Sequence, residues 1–226
     1  MPRFGLVILA AILPLVACAG PTQESEAQRV VDRATLTLED IMTSPNSADV
    51  VQTLKNARAV MICPRVFKAG FILGGSGGDC VLVGRAAQGS WSAPAFYSIG
   101  SGSFGLQAGI QDASILMMIM NDKALNAVIN SQFKIGADAS IAVATIGAGI
   151  GGSTTAALSA DIVTFAQERG LFAGVSLDGA LLSSDYASDQ AYYSGSNADA
   201  RQIVIGMQAN NPGANPLRAV LARYGG

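Results

Sequence analysis

Short apolar runs separated by glycine-rich segments fill the middle of this chain, and they constrain its fold more than any other feature. Ala59-Val60-Met61-Ile62-Cys63, for example, is stopped by Pro64. Runs of this kind, bounded by turn residues, are typical of buried strands. The sequence therefore predicts strands at 59–63, 70–73, 80–83, 95–99, 105–109, 114–120, 140–146, 161–165 and 171–177.

Apolar residues at helical spacing occur toward both ends of the chain. From Ala27 to Met42 they recur every three or four positions, with charged residues on the other face, until Ser44-Pro45-Asn46 interrupts the pattern. Further helices are expected from Ser47, over 121–131, over 197–209 and from Asn215. Closely spaced strands between helices predict an α+β fold. Its centre would be a curved antiparallel, barrel-like sheet, flanked by N-terminal and C-terminal helices.

The first 17 residues are typical of a secretory signal peptide. Arg3 precedes an uncharged apolar run from Phe4 to Ala17, which would span only about 21 Å as a helix, less than the ~30 Å hydrocarbon core of a bilayer. Leu15-Val16-Ala17-Cys18 resembles the lipobox of bacterial lipoproteins, in which the cysteine receives a diacylglyceryl group. The alternatives are a signal peptide with a chance cysteine, or an uncleaved anchor.

These features predict three segments. Residues 1–17 are expected to be a lipoprotein signal peptide, residues 18–26 a small polar tether, and residues 27–226 a single domain. The residue after the predicted lipidation site is Ala19 and not aspartate. By the usual sorting rule of such lipoproteins, this favours the outer membrane, with the domain facing the periplasm of a bacterial cell envelope.

Composition excludes several classes of function. The chain contains no histidine, which removes Ser-His-Asp and Cys-His catalysis as well as histidine-ligated metals. Its net charge is −2, and no strongly basic segment suggests a nucleic-acid partner. We therefore expect no metal, no cofactor and no nucleic acid. The scattered carboxylates Asp112, Asp122 and Asp138 are interpreted as solvated surface residues.

Two glycine motifs imitate catalytic or cofactor-binding sites. Gly74-Gly75-Ser76-Gly77-Gly78 satisfies G-x-S-x-G, but the nucleophile elbow needs a strand-to-helix turn and a histidine base. Gly100-Ser101-Gly102-Ser103-Phe104-Gly105 satisfies G-x-G-x-x-G, but a strand pattern follows it where the dinucleotide fingerprint needs a helix. Both segments are predicted to be turns, and the protein is predicted not to be an enzyme. Only serine–lysine or carboxylate chemistry would remain open to it.

Cys63 and Cys80 are the two cysteines of the predicted mature domain besides Cys18. An oxidising envelope compartment permits a disulfide, and a hairpin between them would bring the two within bridging range. The alternative is two buried free thiols.

The stretch from Arg58 to Leu182 resembles the SYLF domain, a lipid-binding family, and this core would lie inside the single domain. The resemblance rests on seven pieces in the expected order, each weak alone. They are Pro64 with Lys68-Ala69-Gly70-Phe71, Gly74-Gly75-Ser76-Gly77-Gly78, Val81-Leu82-Val83-Gly84-Arg85, Trp91-Ser92-Ala93-Pro94-Ala95, Phe104-Gly105-Leu106-Gln107-Ala108-Gly109, Phe133-Lys134-Ile135-Gly136-Ala137-Asp138-Ala139-Ser140 and Gly170-Leu171-Phe172-Ala173-Gly174-Val175-Ser176-Leu177-Asp178-Gly179. Cys63 and Cys80 depart from the family pattern, which usually has an aromatic residue and a glycine there.

The resemblance implies binding of membrane lipids, phosphoinositides in the better-known eukaryotic members, some of which are linked to actin. Cations and aromatics share one segment of this chain, which suits a headgroup layer. The candidate lipid-binding residues are Arg65, Phe67, Lys68, Phe71, Arg85, Trp91 and Lys134. The alternative places the aromatic residues in the core. The first helix, near Arg29 and Arg33, is a second possible membrane face.

These observations predict a membrane-anchored, non-catalytic bacterial lipoprotein. Its partners would be membrane lipid, for which an anionic phospholipid is the candidate, and the diacylglyceryl group on Cys18. The alternative is an envelope module that binds an unknown protein partner or serves structurally, without a specific lipid.

Overall fold

The protein is described by a computed structural model over residues 22–45, 47–70, 73–104, 109–130, 133–145, 160–170 and 179–226. The predicted leader and Cys18 lie outside the described residues. Within these ranges the chain forms one eight-stranded sheet with helices before, within and after it. The strands are β1 (Ala59–Gly70), β2 (Leu73–Gly84), β3 (Ala95–Phe104), β4 (Gly109–Ile119), β5 (Phe133–Lys134), β6 (Ile141–Thr145), β7 (Ile162–Gly170) and β8 (Leu181–Ser184).

The strand order across the sheet is β5-β8-β3-β2-β1-β4-β7-β6. Neighbouring strands are antiparallel, except for β6 and β7, which are parallel. The sheet is open and curled into a half-barrel, with β5 and β6 at its edges. The predicted α+β fold with a curved sheet and helices at both ends is confirmed.

Six helices accompany the strands in the described part of the chain, together with a 3-10 turn at Pro212–Ala214. They are α1 (Gln23–Thr43), α2 (Ala48–Asn56), α3 (Asp122–Asn130), α4 (Tyr186–Tyr192), α5 (Ala200–Val204) and α6 (Asn215–Gly225). The Thr22 side chain caps α1 by accepting a hydrogen bond from the Ser25 N–H. Helix α1 therefore begins inside the segment predicted as a tether. None of the described helices is long and apolar enough to cross a membrane.

One contiguous hydrophobic core runs from Ala27 in α1 to Leu221 in α6. Its centre is the first half of β1, where every residue from Ala59 to Cys63 is at most 1% exposed. Such burial of successive residues means that both sides of the sheet are covered there. Helix α1 packs on β1 and β2, and it also contacts α4 and α6. The segment 19–226 thus carries every described element of a single core.

Strand β1 continues through Pro64, where the sequence predicted its end. The register places one extra β1 residue between Ile62 and Phe67 relative to β2, and again between Cys63 and Val66 relative to β4. This is a β-bulge, which tolerates a proline because the extra residue leaves the hydrogen-bond ladder. The Ser114 hydroxyl donates to the Pro64 carbonyl at 2.9 Å. The bulge therefore turns a predicted strand end into a local bend.

The glycine segments predicted as turns also lie in strands. Residues 74–78 belong to β2 and residues 100–104 to β3, and these two strands pair from Leu73 with Phe104 to Leu82 with Ala95. Ladder partners on both sides hold the glycines extended, so local turn preference is overridden. The helix predicted over 197–209 is shorter, and Met207 beyond its end has a positive φ of 51°. The strand predicted at 171–177, and most of the one at 105–109, lie outside the described residues.

Candidate functional site

Phe67 lies in a row of directly paired residues that crosses four neighbouring strands and the edge strand. Phe67 pairs with Gly77, Gly77 with Gly100, Gly100 with Leu181, and Leu181 with Lys134. Directly paired residues project from the same side of a sheet. Phe67 and Leu181 are 40% and 43% exposed. We call these five residues the Phe67 row; at ~4.8 Å per strand it extends about 19 Å from Phe67 to Lys134.

At the two glycine positions of the Phe67 row, neither the backbone conformation nor the packing requires a glycine. Neither has a positive φ. A Cβ atom would lie 3.8 Å from the Ile99 carbonyl oxygen at Gly77, and 3.9 Å from the Ser76 carbonyl oxygen at Gly100, which are ordinary contacts. The result is bare backbone between two exposed apolar side chains. Such a surface allows another molecule to approach the sheet closely.

Arg65 lies in the bulge, beside the Phe67 row. Its Nε and one terminal nitrogen donate to the two carboxylate oxygens of Asp112 at 2.8 and 2.9 Å. The guanidinium lies 5.7 Å from the centroid of the Phe67 ring. The hydrogen bond that Arg65 donates to Asp112 raises the pKa of Arg65, which therefore stays a cation. Because the Arg65 side chain is 62% exposed, this ion pair leaves it open to solvent.

A groove of about 500 Å³ separates α1 from the bulge. Arg33, Leu36 and Asp40 of α1 form one wall, and Arg65 and Asp112 are on the other. Leu36 is 65% exposed although it belongs to a helix with a well-buried apolar face. The groove adjoins the Phe67 row, because Asp112 is also the β4 partner of Phe67.

The groove and the Phe67 row together form one amphipathic surface. Leu36, Phe67 and Leu181 supply exposed apolar groups. Arg33, Arg65 and Lys134 supply cations, against the carboxylates of Asp40 and Asp112. Leu36 and Leu181 were missed by the sequence analysis. The sequence did contain a signal for Leu36, because it is an apolar residue on the charged face of α1, where an exposed side chain is expected.

Lys68 does not share this surface. It follows Phe67 directly in β1, and successive strand residues point to opposite sides of the sheet. Lys68 pairs with Ser76, which pairs with Ser101 on β3. The sequence grouped Lys68 with its aromatic neighbours, and the strand separates them. Phe71 lies outside the described residues.

Arg85 and Trp91 lie at the other end of the β1–β2 pair, about 26 Å along the strands from Phe67. Trp91 is only 2% exposed, and the Arg85 guanidinium stacks 4.6 Å from the centroid of its ring. Arg85 donates hydrogen bonds to the carbonyls of Lys55 and Gly225, at the ends of α2 and α6. Desolvation lowers the pKa of Arg85, with a smaller contribution from nearby Arg58. Arg85 and Trp91 therefore lie apart from the other lipid-binding candidates, Arg65, Phe67 and Lys134. Trp91 is a core residue, which agrees with the alternative that placed the aromatic residues in the core.

Cys63 and Cys80 are joined by a disulfide next to the bulge. The Cα atoms are 4.1 Å apart, and neither residue is exposed. The bond links β1 to β2 one residue beyond their last regular pair before the bulge, Ile62 with Val81. It therefore fixes the strand from which Arg65 projects.

The described ranges contain no group of three or more His, Cys, Asp or Glu residues that could hold a metal ion. Asp112 and Asp122 each face an arginine, Arg65 and Arg58 respectively. What the amphipathic surface offers is apolar contact and positive charge in one place.

Comparison with known proteins identifies the family. The family model described as "Ysc84: Las17-binding protein actin regulator" matches residues 100–224, more than half of the chain. This chain belongs to the Ysc84 family. The family contains the SYLF domain, so the resemblance seen in the sequence is confirmed. The family description names an actin regulator and not an enzyme.

Individual relatives are similar over most of this chain. The human SH3 domain-containing YSC84-like protein 1 is 30% identical over 156 residues, which is 67% of this chain and 45% of the relative. An SH3 domain-containing protein of Schizosaccharomyces pombe is 32% identical over 172 residues, covering 74% and 39%. Protein YSC84 of Saccharomyces cerevisiae is 28% identical over 173 residues, covering 74% and 36%. The chain thus spans less than half the length of these relatives.

Proposed function

We propose that this Ysc84-family protein is a lipid-anchored, non-catalytic protein of a bacterial cell envelope whose domain binds anionic membrane lipid. The observation that carries the proposal is the amphipathic surface formed by the groove and the Phe67 row. Cations at its two ends would contact phosphate groups. Apolar side chains between them would enter the interfacial region.

The expected affinity of this surface is modest. Each lysine or arginine near an anionic leaflet contributes about 1 kcal/mol, and Asp40 and Asp112 offset part of this. Covalent anchoring at Cys18 would dominate attachment, because each buried methylene of an acyl chain contributes about 0.8 kcal/mol. The domain would then recognise lipid while the anchor holds the protein at the outer membrane, facing the periplasm.

Vesicle flotation of residues 19–226 tests lipid binding by the domain. We expect the domain to float with vesicles containing phosphatidylglycerol, more at low than at high ionic strength. The double variant Arg33→Ala/Arg65→Ala should bind about thirtyfold more weakly, since two cations are lost. Phe67→Ser should weaken binding without changing its dependence on salt, because it removes apolar contact only.

Arg58→Ala provides the matched control. Arg58 also pairs with a carboxylate, that of Asp122 at 2.9 Å, but it lies at the other end of β1. It should bind vesicles like the unmodified domain. Arg58→Ala removes one charge and the double variant two, so a loss of binding free energy in Arg58→Ala half that of the double variant would reduce the effect to net charge. Absence of binding to any vesicle would reject lipid recognition and favour the alternative, a module that binds a protein partner.

The anchor is tested separately in a bacterial host supplied with labelled palmitate. We expect the full chain to carry the label in the membrane fraction, and Cys18→Ser to lose it. Label retained by Cys18→Ser would show that another residue is acylated, and an unlabelled full chain would reject the lipoprotein assignment.

A further inference from the structure

The two glycine motifs that imitate catalytic sequences lie side by side in the sheet. Ser76 of the first and Ser101 of the second are cross-strand partners, and their hydroxyl oxygens are 2.7 Å apart. Lys68 is the β1 partner of Ser76, so its side chain projects from the same side as both hydroxyls. All three residues are half-buried. This side of the sheet is opposite to the Phe67 row.

The three side chains offer hydrogen-bond donors in excess of acceptors. One hydroxyl donates to the other, which leaves one O–H free to turn toward a ligand. The Lys68 ammonium adds three donors. Neither of the two salt bridges within the described part of the chain involves Lys68. A half-buried cation beside hydroxyl donors is a setting that favours an anion.

The sequence of β2 leaves space open on one side of the hydroxyl pair. Gly74, two positions before Ser76 and on the same side of the strand, has no side chain that could overhang the Ser76 hydroxyl. Gly78, two positions after Ser76, is covered by the Arg65 carbonyl of the bulge, which bounds the site at that end. On β3, Ile99 is the corresponding neighbour of Ser101 and is 3% exposed, so the apolar core begins directly beside the pair.

We propose that Lys68, Ser76 and Ser101 form a binding site for a phosphate monoester. The three terminal oxygens of such a group can accept from the ammonium and from the one free O–H at the same time, more readily than the two oxygens of a carboxylate can. The site requires no histidine or metal. The group could be carried by a soluble compound or by a lipid headgroup, which the test separates.

Phosphorus NMR and calorimetry of residues 19–226 with glycerol 3-phosphate test the site. We expect saturable binding that weakens about tenfold or more in Lys68→Ala, because a charge-assisted contact is lost. Ser76→Ala/Ser101→Ala should weaken it as well, whereas Ser76→Thr keeps the hydroxyl and should retain it. Lys123→Ala removes an exposed lysine on α3 and serves as the matched control.

Vesicles distinguish the two sources of phosphate. A lipid ligand predicts that phosphatidic acid, a monoester, is preferred over phosphatidylglycerol, a diester, and that Lys68→Ala abolishes the preference. A soluble ligand predicts glycerol 3-phosphate binding without that preference. Arg33→Ala/Arg65→Ala should leave glycerol 3-phosphate binding unchanged. The proposal of this site and the proposal of the membrane surface can therefore be rejected independently of each other.

Two results would overturn the proposal. One is the absence of saturable binding to glycerol 3-phosphate and to phosphatidic acid vesicles. The other is binding that Lys68→Ala and Lys123→Ala alter equally. Near-ultraviolet circular dichroism of each variant checks that a loss of binding reflects the site and not unfolding; Ser76→Thr gives a second, folded comparison.

Discussion

Asp189 is the carboxylate whose surroundings differ most from water among the described residues. It lies in α4 with no exposed surface. One carboxylate oxygen accepts the Phe96 N–H at 2.9 Å, and the other has no protein partner. Burial raises the pKa of Asp189 to about 7; the hydrogen bond from Phe96 opposes this shift, and nearby Asp185 and Asp199 add to it. Nothing in the sequence separated this residue from the solvated carboxylates.

We expect Asp189→Asn to raise the free energy of unfolding, relative to the unmodified protein, by more at pH 8 than at pH 5. Between the unfolded pKa near 4 and the folded pKa of about 7, the folded state binds more protons, so its stability falls as pH rises. The loss can reach about 4 kcal/mol, at about 1.4 kcal/mol per pKa unit. Asparagine keeps an acceptor for the Phe96 N–H and does not ionise.

Urea unfolding of both proteins across this pH range measures the effect. The difference in free energy of unfolding, variant minus unmodified, should rise from pH 5 to pH 8. Groups that titrate in both proteins contribute equally and drop out of this difference. A difference that stays constant with pH would show that Asp189 does not titrate in this window.

At the scale of single elements, the bulge explains why Gly78 of β2 is structurally required. A Cβ atom at Gly78 would overlap the carbonyl oxygen of Arg65 and lie 3.1 Å from the Cα of Val66. These are backbone atoms of the bulge and cannot move aside independently. A Cβ atom at Gly102 of β3 meets nothing within 4 Å.

Gly78→Ala should therefore destabilise the protein by about 2 kcal/mol or more, as overpacking in a fixed backbone does. Gly102→Ala should change stability by less than about 0.5 kcal/mol, since it adds an exposed methyl group to an extended residue. Chemical denaturation of the two variants compares them directly. Equal effects would mean that the contact between Gly78 and the bulge does not constrain the sheet.

Sequence patterns predicted the elements better than their ends. The apolar run 59–63 and residues 114–119 of the run 114–120 lie in strands, because burial favours them on both sides of the sheet. Pro64 and the glycines at 74–78 misled the prediction, since hydrogen bonds from neighbouring strands override local turn preference. The candidate site was only partly predictable. Whether Phe67, Lys68 and Trp91 share a surface depends on strand register and bulges, which one sequence does not reveal.

At the scale of the whole molecule, Arg85 connects helices α2 and α6 to the sheet. It follows β2 directly, and its guanidinium donates to Leu54 and Lys55 at the end of α2 and to Gly225 at the end of α6. The carbonyls at helix C-termini carry partial negative charge, which favours a cation there. Stacking on Trp91 fixes the plane of the guanidinium.

Arg85→Lys should destabilise the whole domain by about 2 kcal/mol, because an ammonium cannot present the planar fork to both helix ends. Arg201→Lys is the matched control, since Arg201 hydrogen-bonds the side chains of Asn126 and Asn130 at the surface and should change stability by less than about 0.5 kcal/mol. Thermal unfolding measures both. Unaltered melting of Arg85→Lys would show that charge alone suffices at this position.

The bulge at Pro64 has a further consequence for how this sequence can change in length. Beyond the bulge, each β1 side chain faces the side of the sheet opposite to the one it would face if the strand were regular. Deleting one residue at the bulge would restore an unbroken ladder and would leave Phe67 opposite Gly77 and Lys68 opposite Ser76. Deleting two residues there would instead place Phe67 opposite Gly78, so that the apolar side of the sheet would gain the amine and the hydroxyl side would gain the ring. Descendants of this chain can therefore lose the one extra residue of the bulge without inverting the sheet, whereas the loss of a pair exchanges its two faces.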